Sequence, residues 1–267
     1  MKLYDPNPLP PVTNPIQGLG RWAIENTRGA GIALTISFEA MFYFFRLPKR
    51  RAEFGRQLMN AGVKCFLVTS IVAFFTGMIL ALQTGLALQD WNQEELVGNI
   101  VVQTMCREMG PFMTALILAA AIGSAYSAEI GTMKVSEEIS ALELMSINPV
   151  EFLVTPRLFA LIVMCPILTI YTDVLGTLGG MLVSETQLNV YHKVYYQMAI
   201  ESLHNKEVYV GLFKALIFGF VIGTVSSHRG FSTENGAVGV GNAARQTVVT
   251  SFLYILIIGY FMTRLFY

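Results

Sequence analysis

Charge is what this chain has least of. Asp, Glu, Lys and Arg make up 13% of its 267 residues and cancel to a formal net charge of zero, a balance that excludes the basic face a nucleic-acid partner would need. Cysteine is nearly absent too. Cys65, Cys106 and Cys165 are odd in number, lie in apolar segments and have no metal-ligand spacing, so neither a disulfide framework nor a zinc site is expected. No GxxxxGK[ST] phosphate loop occurs, so ATP chemistry is not expected on this chain. The N-terminus, MKLYDPNPLPPVTNP, lacks the apolar core of a signal peptide. Nothing outside the apolar runs is long enough to bury a soluble core of its own.

What is present is hydrocarbon, with 54% of the residues hydrophobic. A membrane span needs about 20 mostly apolar residues, and five runs qualify: Cys65–Leu88, Val97–Ala128, Phe152–Val183, Val208–Ser226 and Val248–Phe266. They lack the two-residue alternation of barrel strands, so helices must satisfy their backbone groups in lipid. Upstream, Gly31–Leu47 is apolar and aromatic but short for a span, carries Glu39 and is closed by Pro48 and the run Lys49, Arg50, Arg51. It reads as an interfacial helix on the inner leaflet, with a sixth span as the alternative. The expectation is one all-α membrane domain over 1–267: a loose cytoplasmic tail (1–30), an interfacial helix (31–47) and a transmembrane bundle (65–267) of five helices.

Basic residues orient the spans. Arg46, Lys49, Arg50, Arg51, Arg56 and Lys64 precede the first, whereas the next loop holds Asp90, Glu94 and Glu95 with no base. Lys193 and Lys206 weaken the asymmetry without reversing it. The N-terminus is therefore placed in the cytoplasm and the C-terminus outside. The segment Ser127–Arg157, between the second and third spans, then faces inward. Within it Val135, Ile139, Leu142 and Met145 or Ser146 recur at helical spacing, with Glu137, Glu138 and Glu143 taking much of the other face, until Asn148-Pro149 breaks the pattern. Such a helix either packs on its own protein or docks into a groove of a soluble partner.

Five ordered stretches carry a family resemblance: FFTGMILALQ (Phe74–Gln83), REMGP (Arg107–Pro111), AEIGTMKVSEEISALELMSINPVEFLVTPR (Ala128–Arg157), Asp173 with the glycines after it, and GLFKALIFG (Gly211–Gly219). From about Arg50 onward the chain resembles MlaE/YrbE-type permeases, the membrane subunits of MCE-associated ABC transporters. The resemblance implies a homodimer in the inner membrane with its C-terminus in the periplasm. It also implies an ABC ATPase subunit that binds ATP and Mg on its own chain, an MCE-domain protein outside, and phospholipid as cargo. The cytoplasmic helix would couple to the ATPase, through Glu129, Lys134, Glu137, Glu138 and Glu143. The chain departs from the family pattern at Gly259, where an acidic residue is common, and at Arg245, where small hydroxylated residues are common.

For the lipid path the candidates are Arg107, Glu108, Lys214, Gln83 and Asp173. An unbroken helix from Val97 to Ala128 would be about 48 Å long, which puts Arg107 and Glu108 toward the external half. They are either an interfacial anchor or a polar collar around a lipid headgroup, where Arg pairs a phosphate through its planar fork. Adjacent residues do not share a helix face, so their partners are expected on other helices, near a kink at Gly110-Pro111. Lys214 either snorkels outward or belongs to the path. Asp173 either makes an interhelical hydrogen bond or faces a wet cavity. Gln83 is a polar contact or an interfacial residue. The spacings Gly176/Gly180 and Gly219/Gly223 read as packing seams, and the small residues of Ala119–Ala128 as packing or a dimer seam. Two rivals remain. An ion-coupled secondary transporter wants internal repeats, which are not seen. An intramembrane enzyme using Ser124 needs a base within reach.

Overall fold

Length and apolarity decide the architecture. In a computed structural model, which describes residues 15–267, the chain is helical throughout and has no strand among the described residues. Helix α1 (Pro15–Phe42) continues into a 3₁₀ stretch, Tyr43–Arg50. Then come α2 (Arg51–Gln89), α3 (Glu94–Val135), the short α4 (Glu138–Leu144), α5 (Val150–Gln187), α6 (His192–Ser202), α7 (Asn205–Phe231) and α8 (Gly236–Phe266). Helices α2, α3, α5, α7 and α8 are long and apolar enough to cross a membrane, and each contains one of the expected runs. Helix α1 begins at Pro15, upstream of the expected 31–47, a proline being well suited to a first helical turn. The part of the expected tail from Pro15 to residue 30 is therefore helical, and the rest lies outside the described residues.

Glycine sets how closely the spans approach. A methyl added at Gly77 of α2 would lie 1.8 Å from the Gly176 carbonyl oxygen of α5, and one at Gly179 would lie 2.3 Å from that of Phe74. Along the α5–α7 seam, Gly219 faces the Leu161 carbonyl and Gly223 faces Leu158. The backbones thus touch where side chains would hold them apart. Around these seams Leu118, Ile122, Leu161, Phe218, Ile222 and Ile255 form a core at one level, and Val97, Val101, Met105, Val183 and Tyr195 form another toward the α6 end.

Helix α3 is not regular. It carries π turns at Met105–Met109 and Ala119–Gly123. The first ends at Gly110, whose N–H bonds the Met105 carbonyl five residues back, so the kink expected at Gly110-Pro111 takes the form of a π turn leading into the proline.

The seam makes a direct prediction. Gly77→Ala should destabilise the protein by about 1–3 kcal/mol, the usual cost of overpacking. Gly55→Ala, with nothing within 4 Å of the added carbon, should be neutral or stabilising. Thermal unfolding of both variants in one detergent checks this.

Candidate functional site

Pro111 is the starting point of the site. It has no N–H, so the Arg107 carbonyl four residues earlier loses its helical donor. Lys214 of α7 replaces it: Nζ lies 2.9 Å from that oxygen. The same ammonium donates to Glu108 Oε1 at 2.6 Å and to Thr263 Oγ1 of α8 at 2.8 Å. All three N–H groups are thereby used. The Lys214 side chain is 1% exposed, so it neither snorkels outward nor has a donor to spare. The Thr263 hydroxyl has one proton to offer, and Glu108 Oε1 (2.6 Å) and the Gly259 carbonyl (2.8 Å) are both in reach. Three spans thus converge on one buried cation.

Arg107 faces a different neighbour, as the geometry of adjacent helical residues requires. One guanidinium nitrogen lies 2.5 Å from Glu207 Oε1, at the start of α7. Its Cζ stands 4.2 Å from the centre of the Tyr267 ring, and Lys206 Nζ stands 4.9 Å from the same ring. Glu207 is almost wholly buried, while the Arg107 and Glu108 side chains remain 35% and 38% exposed. Arg107 Nε and Glu207 Oε2 have no hydrogen-bond partner among the described residues. The cluster therefore consists of two interhelical ion pairs, with Arg107 and Glu108 partly open.

Asp173 sits behind the π turn. Its Oδ1 would lie 1.8 Å from a methyl at Gly110 and has no hydrogen-bond partner among the described residues. Thr114 and Thr172, one position before Asp173, share an interhelical hydrogen bond at 2.8 Å. Gln83 is exposed on α2 and joins none of these contacts. Glu207, Thr263 and Tyr267 were not singled out in the sequence, because their partners lie far along the chain. The missing N–H of Pro111 is the local signal that a donor had to come from elsewhere.

At the opposite end of the bundle lies α4. Glu129 pairs with Arg157 at 2.9 Å, and Lys134 donates to the Phe231 carbonyl at 2.9 Å, one of the last carbonyls of α7. Both therefore brace the bundle end. Glu137, Glu138 and Glu143 are exposed. The expected apolar stripe is only half realised. Ile139 is buried, but Val135 is exposed, Met145 is 62% exposed and Leu144 is 88% exposed. Glu137 is left-handed (φ 60°), which ends α3 and resets the helical phase before α4. Ser146, also left-handed, closes α4: Ile147 N–H bonds the Leu142 carbonyl and Ser146 N–H that of Glu143, a Schellman turn. Ser124 donates to the Ala120 carbonyl of its own helix. Among the described residues no group of His, Cys, Asp and Glu is arranged to hold a metal.

Breaking the Lys214–Glu108 pair from one side should be costly. Lys214→Met leaves a carboxylate and a carbonyl without their donor and should cost about 3–5 kcal/mol. The double variant Lys214→Met/Glu108→Gln should recover at least half of that. Thermal unfolding of the two variants in detergent checks the pairing.

Comparison with known proteins places this geometry. The family model for permease MlaE matches residues 54–265, which include both the polar cluster and α4. A probable ABC transporter permease of Rickettsia typhi is 35% identical over 249 residues, 93% of this chain and 96% of the relative. A similar protein of Synechocystis is 32% identical over 211 residues, 79% of this chain and 80% of that one. The intermembrane phospholipid transport system permease protein MlaE of Haemophilus influenzae is 29% identical over 257 residues, 96% of this chain and 98% of its own length. A match spanning all five apolar helices and both polar ends shows that the chain belongs to the MlaE permease family.

Proposed function

We propose that this protein is the membrane-spanning subunit of an ATP-driven transporter that moves phospholipid between membranes. The observation that carries this reading is the likeness, along 96% of the chain, to the Haemophilus permease of an intermembrane phospholipid transport system. ATP and Mg belong to a separate ATPase chain, and an MCE-domain protein stands outside. The 1–267 chain acts as a single permease domain and works as a homodimer. The small residues Ala120, exposed, and Ser124 and Ala128, half-buried, four apart on α3, suit a close seam between copies. The basic residues before the first span support a cytoplasmic N-terminus in the inner membrane and a periplasmic C-terminus.

On this reading the two polar ends divide the work. The acidic and apolar tip of α4, with Glu137, Glu138, Glu143, Leu144 and Met145, meets the ATPase from the cytoplasm. Glu129 and Lys134 carry the load inward through their bonds to Arg157 and Phe231. At the other end Arg107 and Glu108 meet the headgroup, Arg107 taking the phosphate and Glu108 holding the opposite rim. Lys214 is a positioning residue: its bonds fix the π turn that presents both. Asp173 shapes the path from behind that turn, and Gln83 belongs to its outer margin on α2. Helix rocking driven by nucleotide changes access to the lipid path between the two copies, and only a partner with different affinity for the two states can bias it.

Reconstitution with the ATPase and the MCE protein tests this. Labelled phospholipid should pass between vesicles only with ATP, and should be indifferent to a proton ionophore. Leu144→Glu/Met145→Glu should weaken ATPase capture by at least about tenfold, since burying one such side chain contributes about 1.5–3 kcal/mol. Arg107→Ala should keep ATPase capture and lower transfer about tenfold, the loss of one charge-assisted contact of 1.5–3 kcal/mol. Transfer that ignores ATP and collapses with the ionophore would favour the ion-coupled alternative.

A further inference from the structure

The turn that returns the chain from α4 to α5 is tied to α1 by side chains that neither the lipid path nor the ATPase contact uses. Asn148 sits at its centre. Its Oδ1 accepts from the Val150 N–H at 2.8 Å, and its Nδ2 donates to Glu39 Oε1 at 2.8 Å and to the Tyr43 hydroxyl at 3.1 Å. Arg46 pairs with Glu151 at 3.1 Å, and the Arg50 guanidinium lies 4.5 Å from the centre of the Phe152 ring. Glu39 lies in the last turn of α1, and Tyr43, Arg46 and Arg50 lie in the 3₁₀ stretch that continues it. Opposite them lie residues 148, 151 and 152, within a five-residue stretch of the turn. Farther back on the same side, Ile32, Ile36 and Ala40 pack against Val150, Val154 and Leu158. Ser37 and Thr224 of α7 share a hydroxyl hydrogen bond at 2.7 Å. A different face of α1 carries Leu34, Phe38, Met41 and Phe42, all exposed, as an interfacial helix bedded in lipid requires.

We infer that Asn148 and Glu39 form a latch that makes α1 move as one body with the α4–α5 turn, so that force on α4 reaches α5 and α7 instead of being lost in a flexible turn. The physical argument is stiffness. Helix α4 is short, and beyond Leu144 it hands over through a left-handed Ser146 and an Asn-Pro pair. A turn of this kind transmits a push only if something braces it. Asn148 is the residue whose two amide atoms join the first N–H of the α5 segment to the α1 face. Both are positioning residues; neither touches lipid or nucleotide. The inference rests on the ATP-driven reading above.

The chemistry of the amide gives a test that separates bracing from mere folding. In the full chain assembled with its ATPase and MCE protein, Asn148→Asp keeps the acceptor for Val150 but turns a carboxylate on Glu39. Glu39→Gln keeps an acceptor for Asn148. The pair Asn148→Asp/Glu39→Gln restores one donor and one acceptor with their roles reversed. Lipid moved per ATP hydrolysed should fall at least about fivefold in Asn148→Asp, the loss expected from one or two hydrogen bonds. ATP hydrolysis itself should change less than about twofold. Glu39→Gln and the double variant should move lipid as the wild type does. If Asn148→Asp does not assemble, Glu39→Ala, which removes only the acceptor, takes its place with the same expectation. Hydrogen exchange of residues 37–46 should also differ between nucleotide-free and ATP-trapped complexes, and that difference should vanish in Asn148→Asp and return in the double variant. Exchange there that ignores nucleotide in the wild type, or Asn148→Asp moving lipid per ATP at the wild-type ratio, would overturn the latch. A wild-type complex that moves no lipid with ATP would instead sink the transport reading, and the exchange measurement would still decide the latch.

Discussion

One bond that a proline cannot make organises the polar end of this bundle. Pro111 strips the Arg107 carbonyl of its helical donor inside the bundle, where a buried backbone group left unsatisfied is costly. Lys214 supplies the donor, and its positive charge then demands an anion, which Glu108 provides. Thr263 fills the last coordination position and brings in α8. A structural defect in one helix therefore fixes the placement of three. The same arrangement leaves Arg107 and Glu108 partly open, because their side chains leave α3 in different directions and only one flank of each is covered.

The opposite end follows a contrasting logic. There a lysine meets a helix-end carbonyl and an arginine meets a carboxylate. Lys134 meets Phe231, and Arg157 meets Glu129. What remains uncovered at α4 is acidic and apolar together, a surface that water tolerates only singly and that a partner's groove would cover. Between the two ends the glycine seams bring α2, α5 and α7 into backbone contact. A bundle so tightly registered shifts by rigid-body motion of whole helices more readily than by bending.

Much of this was legible in the sequence for stated reasons. Apolar runs of span length admit one structural solution in lipid, so all five helices were visible. The Gly176/Gly180 and Gly219/Gly223 spacings announced the seams, because small residues four apart have few other uses in a span. Arg107 and Glu108 announced that partners would come from other helices, but not which ones, since nothing local identifies Glu207 or Thr263. The α4 stripe was read too long. A helical pattern assumes unbroken phase, and the left-handed Glu137 breaks it without a glycine to mark the place. The sequence leaves Asp173 open between an interhelical hydrogen bond and a wet cavity; its close approach to Gly110 is visible only once α3 and α5 are docked. At Gly259 an added side chain would begin 3.3 Å from the Phe218 ring, so an aromatic closes off that position.

In the proposed cycle the Pro111-centred cluster meets the lipid headgroup while force enters at the other end. Photo-crosslinking with a headgroup-reactive phospholipid, in the assembled complex with and without trapped nucleotide, tests it most directly. The account predicts adducts confined to residues 104–114 and 205–214, with a yield that changes when nucleotide binds. Adducts spread along the outward faces of α2 and α8, at a yield indifferent to nucleotide, would contradict it.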